Sequence, residues 1–516
     1  MSNGGAFSTR RIRGSMFAFA IGKAVSAPLN LLLILVLVAV MPREEYAAYV
    51  GAVALLEISF VLGTFGLEWV MQTTLAAVLV RGNSAQLVHS MLLLGLLPVL
   101  PYLLLAGVLW QFAPQLAAMM GNVVPEEVIR LYAVLLAIDG PCRMLRDQMM
   151  GALMMQHMSQ LAQVARIVTL FGIIGTFVLI DAPVDAVAVG KAEIAATALS
   201  LLVTLLALSR YLRRVWPRRR MSWALETWLG WRSVRFAAHA YGSYVMMLPL
   251  GTELLTALVA RYLGADATAA YGFVARLMET ARRYLPMDMF YSVLRPATIG
   301  RYESTPGGNF PQLVQDTNRM LAANLVIIGA GMAVAIAGGD RLVHLLSKGN
   351  VESPTLLLAA LLTLLVSHTV RRGVELVAYI VGHSGVFVTA ALISVLAPPV
   401  TVVLLTTTQM VQFAPLGVVF VDFAFSALAL LGLRRYGRSV AFEYSRWRNI
   451  AIATLGGGVA GASVAWLVEG VPGMWLAIVV ALAAFVALMV ALRVIDADER
   501  AWIVSMVRMR RAPASS

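Results

Sequence analysis

A single cysteine, Cys142, stands in 516 residues, so no disulfide framework holds this chain. Charge is scarce as well. Asp, Glu, Lys and Arg together make up 13% of the sequence, while hydrophobic residues make up 60%. An average soluble domain is about 25% charged and about 45–50% apolar. With a mean hydropathy of +0.81, the chain cannot be a water-soluble globule. Lysine is nearly missing and occurs only at Lys23, Lys191 and Lys348, so the basic residues are almost all arginine. Arginine's planar fork binds two phosphate oxygens at once, which a lysine ammonium does not. There are no zinc-spaced His or Cys residues, no phosphate-binding glycine loop and no Ser/His/Asp arrangement, so no metal, no cofactor and no enzyme chemistry is expected. The N-terminus lacks the form of a cleavable signal. Arg10, Arg11 and Arg13 precede an apolar run too long for a signal core, which reads as a first spanning helix starting in the cytoplasm.

What fills the sequence is apolar runs. Residues 29–40, 91–109, 197–208 and 475–492 exclude charge altogether, and their flanks extend most of them to the ~20 residues that cross a hydrocarbon core. The expected fold class is an all-α polytopic membrane protein with about 14 transmembrane helices. The spans fall near 14–40, 46–68, 87–110, 127–150, 158–179, 188–209, 237–261, 268–292, 318–338, 355–381, 384–406, 415–435, 450–468 and 474–493. Arginine clusters alternate with these spans. They lie at Arg10–Arg13, at Arg210, Arg213, Arg214 and 218–220, at Arg434, Arg435, Arg438, Arg446 and Arg448, and at Arg508, Arg510 and Arg511. Positive loops stay in the cytoplasm, so both termini are expected inside. The net charge of +13 and a pI of about 10.2 would suggest nucleic acid for a soluble protein. Here the charge belongs to topology, and no nucleic-acid partner is expected. Residues 210–236 interleave Trp216, Trp223, Trp228 and Trp231 with arginine, a composition that lies in the lipid headgroup layer. It serves either as a linker sensing anionic lipid or as a loop that fixes topology.

One short segment appears twice. Ala47-Ala48-Tyr49 is followed by an apolar run carrying Glu57, and Ala269-Ala270-Tyr271 by one carrying Glu279, with an offset of 222 residues in each case. Arg13 falls on Arg235 at the same offset. The copies begin spans two and eight and run in the same direction. Two six-helix lobes related by a parallel repeat follow. The division is 1–209 for an N-terminal lobe, 210–236 for a basic linker, 237–435 for a C-terminal lobe, 436–493 for two added spans and 494–516 for a basic tail.

Ionisable groups inside a bilayer cost several kcal/mol unless they face partners or water. Span eight carries Arg276, Glu279, Arg282 and Arg283, with Arg276, Glu279 and Arg283 on one helical face. Span ten carries His368, Arg371, Arg372 and Glu375 at the same helical spacing. Lys23 lies in span one and Arg166 in span five; Glu57, Asp139, Glu193, Glu253 and Asp422 stand against these cations. One reading is a water-filled cationic cavity for an anionic lipid headgroup, formed by Arg276, Arg282, Arg283, Lys23, Arg371 and Arg372. The other is internal neutralisation by pairs such as Arg276–Glu279 and Arg371–Glu375. Glu57, Glu279, Glu253 and Asp139 are candidates for a coupling H+ or Na+. Pro28 and Pro249 lie in matching spans one and seven, where each would kink its helix.

The run Met41-Pro42-Arg43-Glu44-Glu45-Tyr46-Ala47-Ala48-Tyr49 after an Arg-rich tail and a first span, together with Phe65-Gly66-Leu67-Glu68, Leu263-Gly264, Ala270-Tyr271-Gly272 and Arg295-Pro296, resembles the polysaccharide-biosynthesis (Wzx-type) flippases of the multidrug/oligosaccharidyl-lipid/polysaccharide exporter superfamily. Ala47 and Ala48 stand where that family usually has Gly. The resemblance implies a cavity between spans 1–6 and 7–12, lined by helices that carry Lys23, Glu57, Arg276 and Glu279. It implies alternating-access flipping of undecaprenyl-pyrophosphate-linked oligosaccharide across the inner membrane, with membrane lipids and polysaccharide polymerase or export proteins as further partners. The competing readings are a multidrug or small-molecule antiporter of the same superfamily, whose cavity should be net acidic, and a membrane glycosyltransferase or polymerase. The latter would carry its carboxylates in a sizeable external loop, and Arg43-Glu44-Glu45 lies in a loop of only a few residues.

Overall fold

The structure is a computed structural model that describes residues 9–81, 83–216, 231–288, 309–351, 356–381 and 383–494. Residues 217–230 of the basic linker, the tail from residue 495, and Arg295-Pro296 lie outside the described residues. Every regular element among them is a helix, as the apolar runs require, because a lipid-embedded backbone must satisfy its own hydrogen bonds. Large apolar side chains stay exposed on the outside of several helices, Trp466 at 84% and Leu104 at 63% among them, as expected for lipid-facing surface.

By contact the chain forms two compact units: Met1–Thr280 with Ser347–Val351 and Ser394–Gly417, and Ala281–Leu346 with Glu352–Ile393 and Val418–Ser516. The first unit runs α1 (Thr9–Val40), α2 (Arg43–Gly63), α3 (Leu67–Arg81), α4 (Ser84–Leu96), α5 (Val99–Gln111), α6 (Ala113–Met119), α7 (Glu126–Arg143), a π-helical turn (Met144–Met149) leading into α8 (Met150–Ala152), α9 (Gln156–Leu179), α10 (Ala186–Val215), α11 (Trp231–Met247) and α12 (Thr252–Arg282). In the second, α13 (Phe310–Leu346) and α14 (Leu357–Ile380) pack together, and α15 (Ser384–Ala391) follows. After α16 (Ala397–Thr408) of the first unit come α17 (Ala414–Arg435), α18 (Tyr444–Leu467) and α19 (Gly470–Ala491). α18 and α19 pack on each other and on α13. Gly457 and Gly461 let the α18 backbone close on the Ala481 and Ala477 carbonyls of α19, where a Cβ would come within 2.7 Å of each. Small residues are the usual means of close helix packing in a bilayer.

The helix ends follow local chemistry. Glu44 and Glu45 occupy the first turn of α2, and Arg213 and Arg214 the last turn of α10, each favourable to the helix dipole. Asn83 and Gln86 form a reciprocal capping box on α4. α2 stops because Phe65 and Gly66 both take left-handed backbone, φ 45° and 71°, which Gly66 adopts without a Cβ penalty. α3 then occupies residues that sequence patterning leaves between spans two and three.

Eleven helices among the described residues are long and apolar enough to cross a membrane; a twelfth results if Tyr241–Leu250 and Thr252–Arg282, bent by 42°, form one span. The expectation of about fourteen differs at two places. α7 holds Glu126, Glu127, Arg130, Asp139 and Arg143, too many charges to pass as apolar. The expected spans 237–261 and 268–292 fall on α11 and α12, which count as one bent pair, although α12 is itself interrupted at Gly264, φ 81° and ψ −168°.

The two copies of the repeated segment meet. Tyr46–Val50 on α2 and Thr268–Ala275 on α12 are buried. A Cβ added to Gly272 would lie 2.0 Å from the Val50 side chain. Gly272 is the residue 222 positions after Val50, so equivalent positions of the two copies touch one another. Contact between equivalent residues is what two elements related by a local twofold produce.

Candidate functional site

The first unit gathers charged side chains from six elements: α2, α7, the π-helical turn, α9, α10 and α12. Arg143, at the end of α7, is the hub. Its Nη1 donates to Glu57 Oε2 on α2 at 2.8 Å, and its Nε lies 2.6 Å from Asp139 Oδ2 one turn back on α7. The guanidinium also sits over the Phe60 ring, 4.9 Å from its centroid. Arg146 on the π-helical turn faces Asp147 in fork-to-fork geometry, Nε to Oδ1 and Nη2 to Oδ2, both 2.8 Å. Pro141 inside α7 lacks an N–H for the ladder, and the wider turn begins three residues later. Such π-turns concentrate at functional sites.

A second branch runs from α12. Arg276 Nη1 donates to Tyr49 Oη at 2.9 Å and stacks over the Tyr49 ring, 4.6 Å from its centroid. The Tyr49 hydroxyl donates in turn to Glu193 Oε1 on α10 at 3.4 Å. Arg166 on α9 donates from Nε to Thr197 Oγ1 at 3.0 Å and is an electrostatic neighbour of both Glu193 and Asp139. The arginines Arg143, Arg146, Arg166 and Arg276 thus stand beside the carboxylates Glu57, Asp139, Asp147 and Glu193, cation for anion. Buried like this, each charge needs its partner. Arg276 Nη2, Arg146 Nη1 and Asp139 Oδ1 are buried atoms with no hydrogen-bond partner in the structure.

The structure brings two of the sequence-predicted carboxylates, Glu57 and Asp139, onto one arginine. Arg276 joins the same cluster through Tyr49 and Glu193, so its charge is met across helices. Glu279 and Arg282 are half-buried and Arg283 is exposed on the following turns. Lys23 on α1 is half-buried, with its Nζ 5.6 Å from the Phe19 ring, and it is an electrostatic neighbour of Asp147. Glu253 accepts from Thr252 Oγ1 at 3.2 Å in the first turn of α12. In the second unit Arg371 pairs with buried Asp422 on α17 at 3.0 Å, and His368 lies 3.8 Å from the same carboxylate. Arg372 contacts Glu375 at 3.2 Å and Asp288 at 3.8 Å.

Sequence reasoning missed Arg143, Arg146 and Asp147. They sit at the end of expected span four, where Asp139 alone drew attention. The spacing Asp139-x-x-x-Arg143 was a usable signal, since residues four apart share a helix face.

No family profile matches the sequence, and no curated protein does. Solved structures do match. One described as "Lipid II flippase MurJ, inward closed conformation" superposes with a TM-score of 0.61 at 10% identity, over 92% of this chain and 98% of that one. Another, an inward-facing conformation of a multidrug resistance MATE family transporter of the MOP superfamily, gives a TM-score of 0.57 at 14% identity, over 80% of this chain and 94% of that one. The chain is a multi-pass helical protein with the fold of these transporters.

Proposed function

We propose that this chain is a membrane transporter that flips an anionic lipid-linked oligosaccharide of the polyprenyl-pyrophosphate type across the bacterial inner membrane by alternating access, for cell-surface polysaccharide synthesis. In this reading both termini lie in the cytoplasm, which the arginine alternation supports. The observation that carries the reading is the cluster of arginines Arg143, Arg146, Arg166 and Arg276, drawn together between helices on a fold shared with a lipid II flippase. Arginine inside a helical bundle of a membrane protein is costly and marks a substrate or ion path, and its fork matches phosphate oxygens. Lys23, Arg282, Arg283, Arg371 and Arg372 are the further candidates for headgroup contact. Glu57, Asp139, Glu253 and Glu279 are the candidates for a coupling H+ or Na+.

One observation favours a second reading, an ion-coupled multidrug or small-molecule antiporter. The four arginines of the cluster, Arg143, Arg146, Arg166 and Arg276, stand beside four carboxylates, so they add no net positive charge to it, and a MATE transporter shares the fold. The experiment that separates them replaces Arg276 with alanine in cells at matched protein level. Loss of surface polysaccharide with unchanged drug tolerance is expected. Unchanged polysaccharide with loss of drug tolerance overturns the flippase reading in favour of the antiporter.

A further inference from the structure

Glu57 and Asp139 hold Arg143 in unequal ways. Asp139 shares its helix, approaches to 2.6 Å and leaves its side chain 2% exposed, whereas Glu57 comes from α2, contacts at 2.8 Å and is 33% exposed. Arg143 itself is 18% exposed. Asp139 is therefore the fixed counterion, and Glu57 is the contact that an anion arriving from water can replace. A guanidinium has five donors in a fork, and the face now turned to Glu57 is the one a phosphate would occupy.

From this geometry we infer that Arg143 is a substrate-anion ligand held in reserve by Glu57: the diphosphate of the substrate takes over the Glu57 position on Arg143, and a proton on Glu57 favours the exchange. The inference rests on the flippase reading and adds to it a specific headgroup contact. The step balances simply. One proton from water neutralises the Glu57 carboxylate, the Arg143–Glu57 contact opens, and a phosphate oxygen accepts from the freed Arg143 N–H; Asp139 stays in place. Other charged groups face this site. Arg146 and Asp147 lie on the next turn, with Arg166 from α9 and Glu193 from α10. Tyr102 from α5 and Glu68 from α3 complete the surroundings. Arg146 is already engaged by Asp147 through both prongs, and Arg166 by Thr197. Arg143 is the one whose anionic partner is both on another helix and open to water.

The test measures binding of geranylgeranyl diphosphate to the purified full chain in detergent by calorimetry, between pH 5.5 and 8.5. Wild type is expected to bind more weakly as pH rises. Glu57→Gln, which keeps the size of the side chain but removes the competing charge, is expected to bind about tenfold tighter than wild type at pH 8.5, the scale of one charge-assisted hydrogen bond, and to lose the pH dependence. Arg143→Lys keeps the charge without the fork and is expected to weaken binding about tenfold. Thermal melting of each variant separates folding from binding, and the pH profile is a readout that a structural ion pair would not move. If wild type binds the diphosphate but Arg143→Lys binds equally well, or Glu57→Gln is no tighter at high pH, the Arg143 assignment is overturned while the flippase reading stands. If wild type and Glu57→Gln both fail to bind any diphosphate, the flippase reading falls with it.

Discussion

At the scale of single residues, the second unit supplies a test of how far buried charge here is structural. Asp422 is fully buried and holds Arg371 at 3.0 Å, with His368 beside it. Removing one partner of such a pair leaves the other uncompensated in a poor solvent, a loss of about 3 kcal/mol or more. Replacing both with apolar side chains of similar size costs far less. Asp422→Asn is therefore expected to lower the detergent melting temperature clearly, and the double variant Asp422→Leu, Arg371→Met to recover most of the loss. A double variant that melts as low as Asp422→Asn would show that the pair does more than balance charge. This contact also illustrates what a linear reading misses. Arg371 and Glu375 share a helix face and invite pairing, but the partner found for Arg371 is 51 positions further on, on α17. Arg143 and Glu57 are separated by 86 positions. The helical spacing of Arg143 and Asp139 was on view in the sequence; the meeting with Glu57 depended on how α2 and α7 pack, which no local pattern encodes.

At the scale of elements, the duplicated segment gains a physical meaning from Val50 and Gly272. These are equivalent positions of the two copies, and they press against each other, so the crossing of α2 and α12 is set by a large residue in one copy against none in the other. A methyl group on Gly272 would force α12 away from α2, and with it Arg276 away from Tyr49 one turn later. Gly272→Ala is expected to destabilise the fold by about 1–3 kcal/mol, read as denaturant unfolding in detergent. Val50→Ala in the same chain should relieve the overlap and restore stability. Stability unchanged by Gly272→Ala alone would mean the two helices are not in this contact. Element identity was largely legible in the sequence, because hydropathy and turn residues report directly on spans. The exceptions have local causes. α3 lies between the expected spans two and three because Phe65 and Gly66 end α2 early, and a left-handed Phe has no sequence signature. Gly264 divides α12 where the expected spans 237–261 and 268–292 part; the 42° bend between Leu250 and Thr252 instead falls inside the first of those spans, beside Pro249.

At the scale of the whole molecule, chain segments far apart in sequence are tied together at the ends of α1 and α2. Asn350 reaches the C-terminus of α1 and donates through Nδ2 to the carbonyls of Val38 and Met41, both at 2.7 Å, while Arg43 Nε donates back to the Asn350 carbonyl at 2.8 Å. Arg43 also lies 3.6 Å from Asp266, just past the break in α12, and Arg261 Nη1 donates to the Ala118 carbonyl at the end of α6 at 2.9 Å. The last carbonyls of a helix have no partner of their own, so Asn350 supplies a cap for α1 from 309 positions away. In the proposed topology, with the start of α1 in the cytoplasm, all these contacts lie at the outward end of the first unit. A transporter that opens alternately to both sides must break such ties to open outward. Asn350→Ala removes two hydrogen bonds worth about 1 kcal/mol each, enough to raise the population of an opened state severalfold. Faster deuterium uptake is then expected in the α1–α2 turn and around Gly264, with little change in α18 and α19. In a Cys142→Ser background, a disulfide between cysteines placed at positions 41 and 350 should abolish this uptake and block transport until it is reduced. Transport that continues at full rate with the disulfide formed would show that this end of the protein does not open.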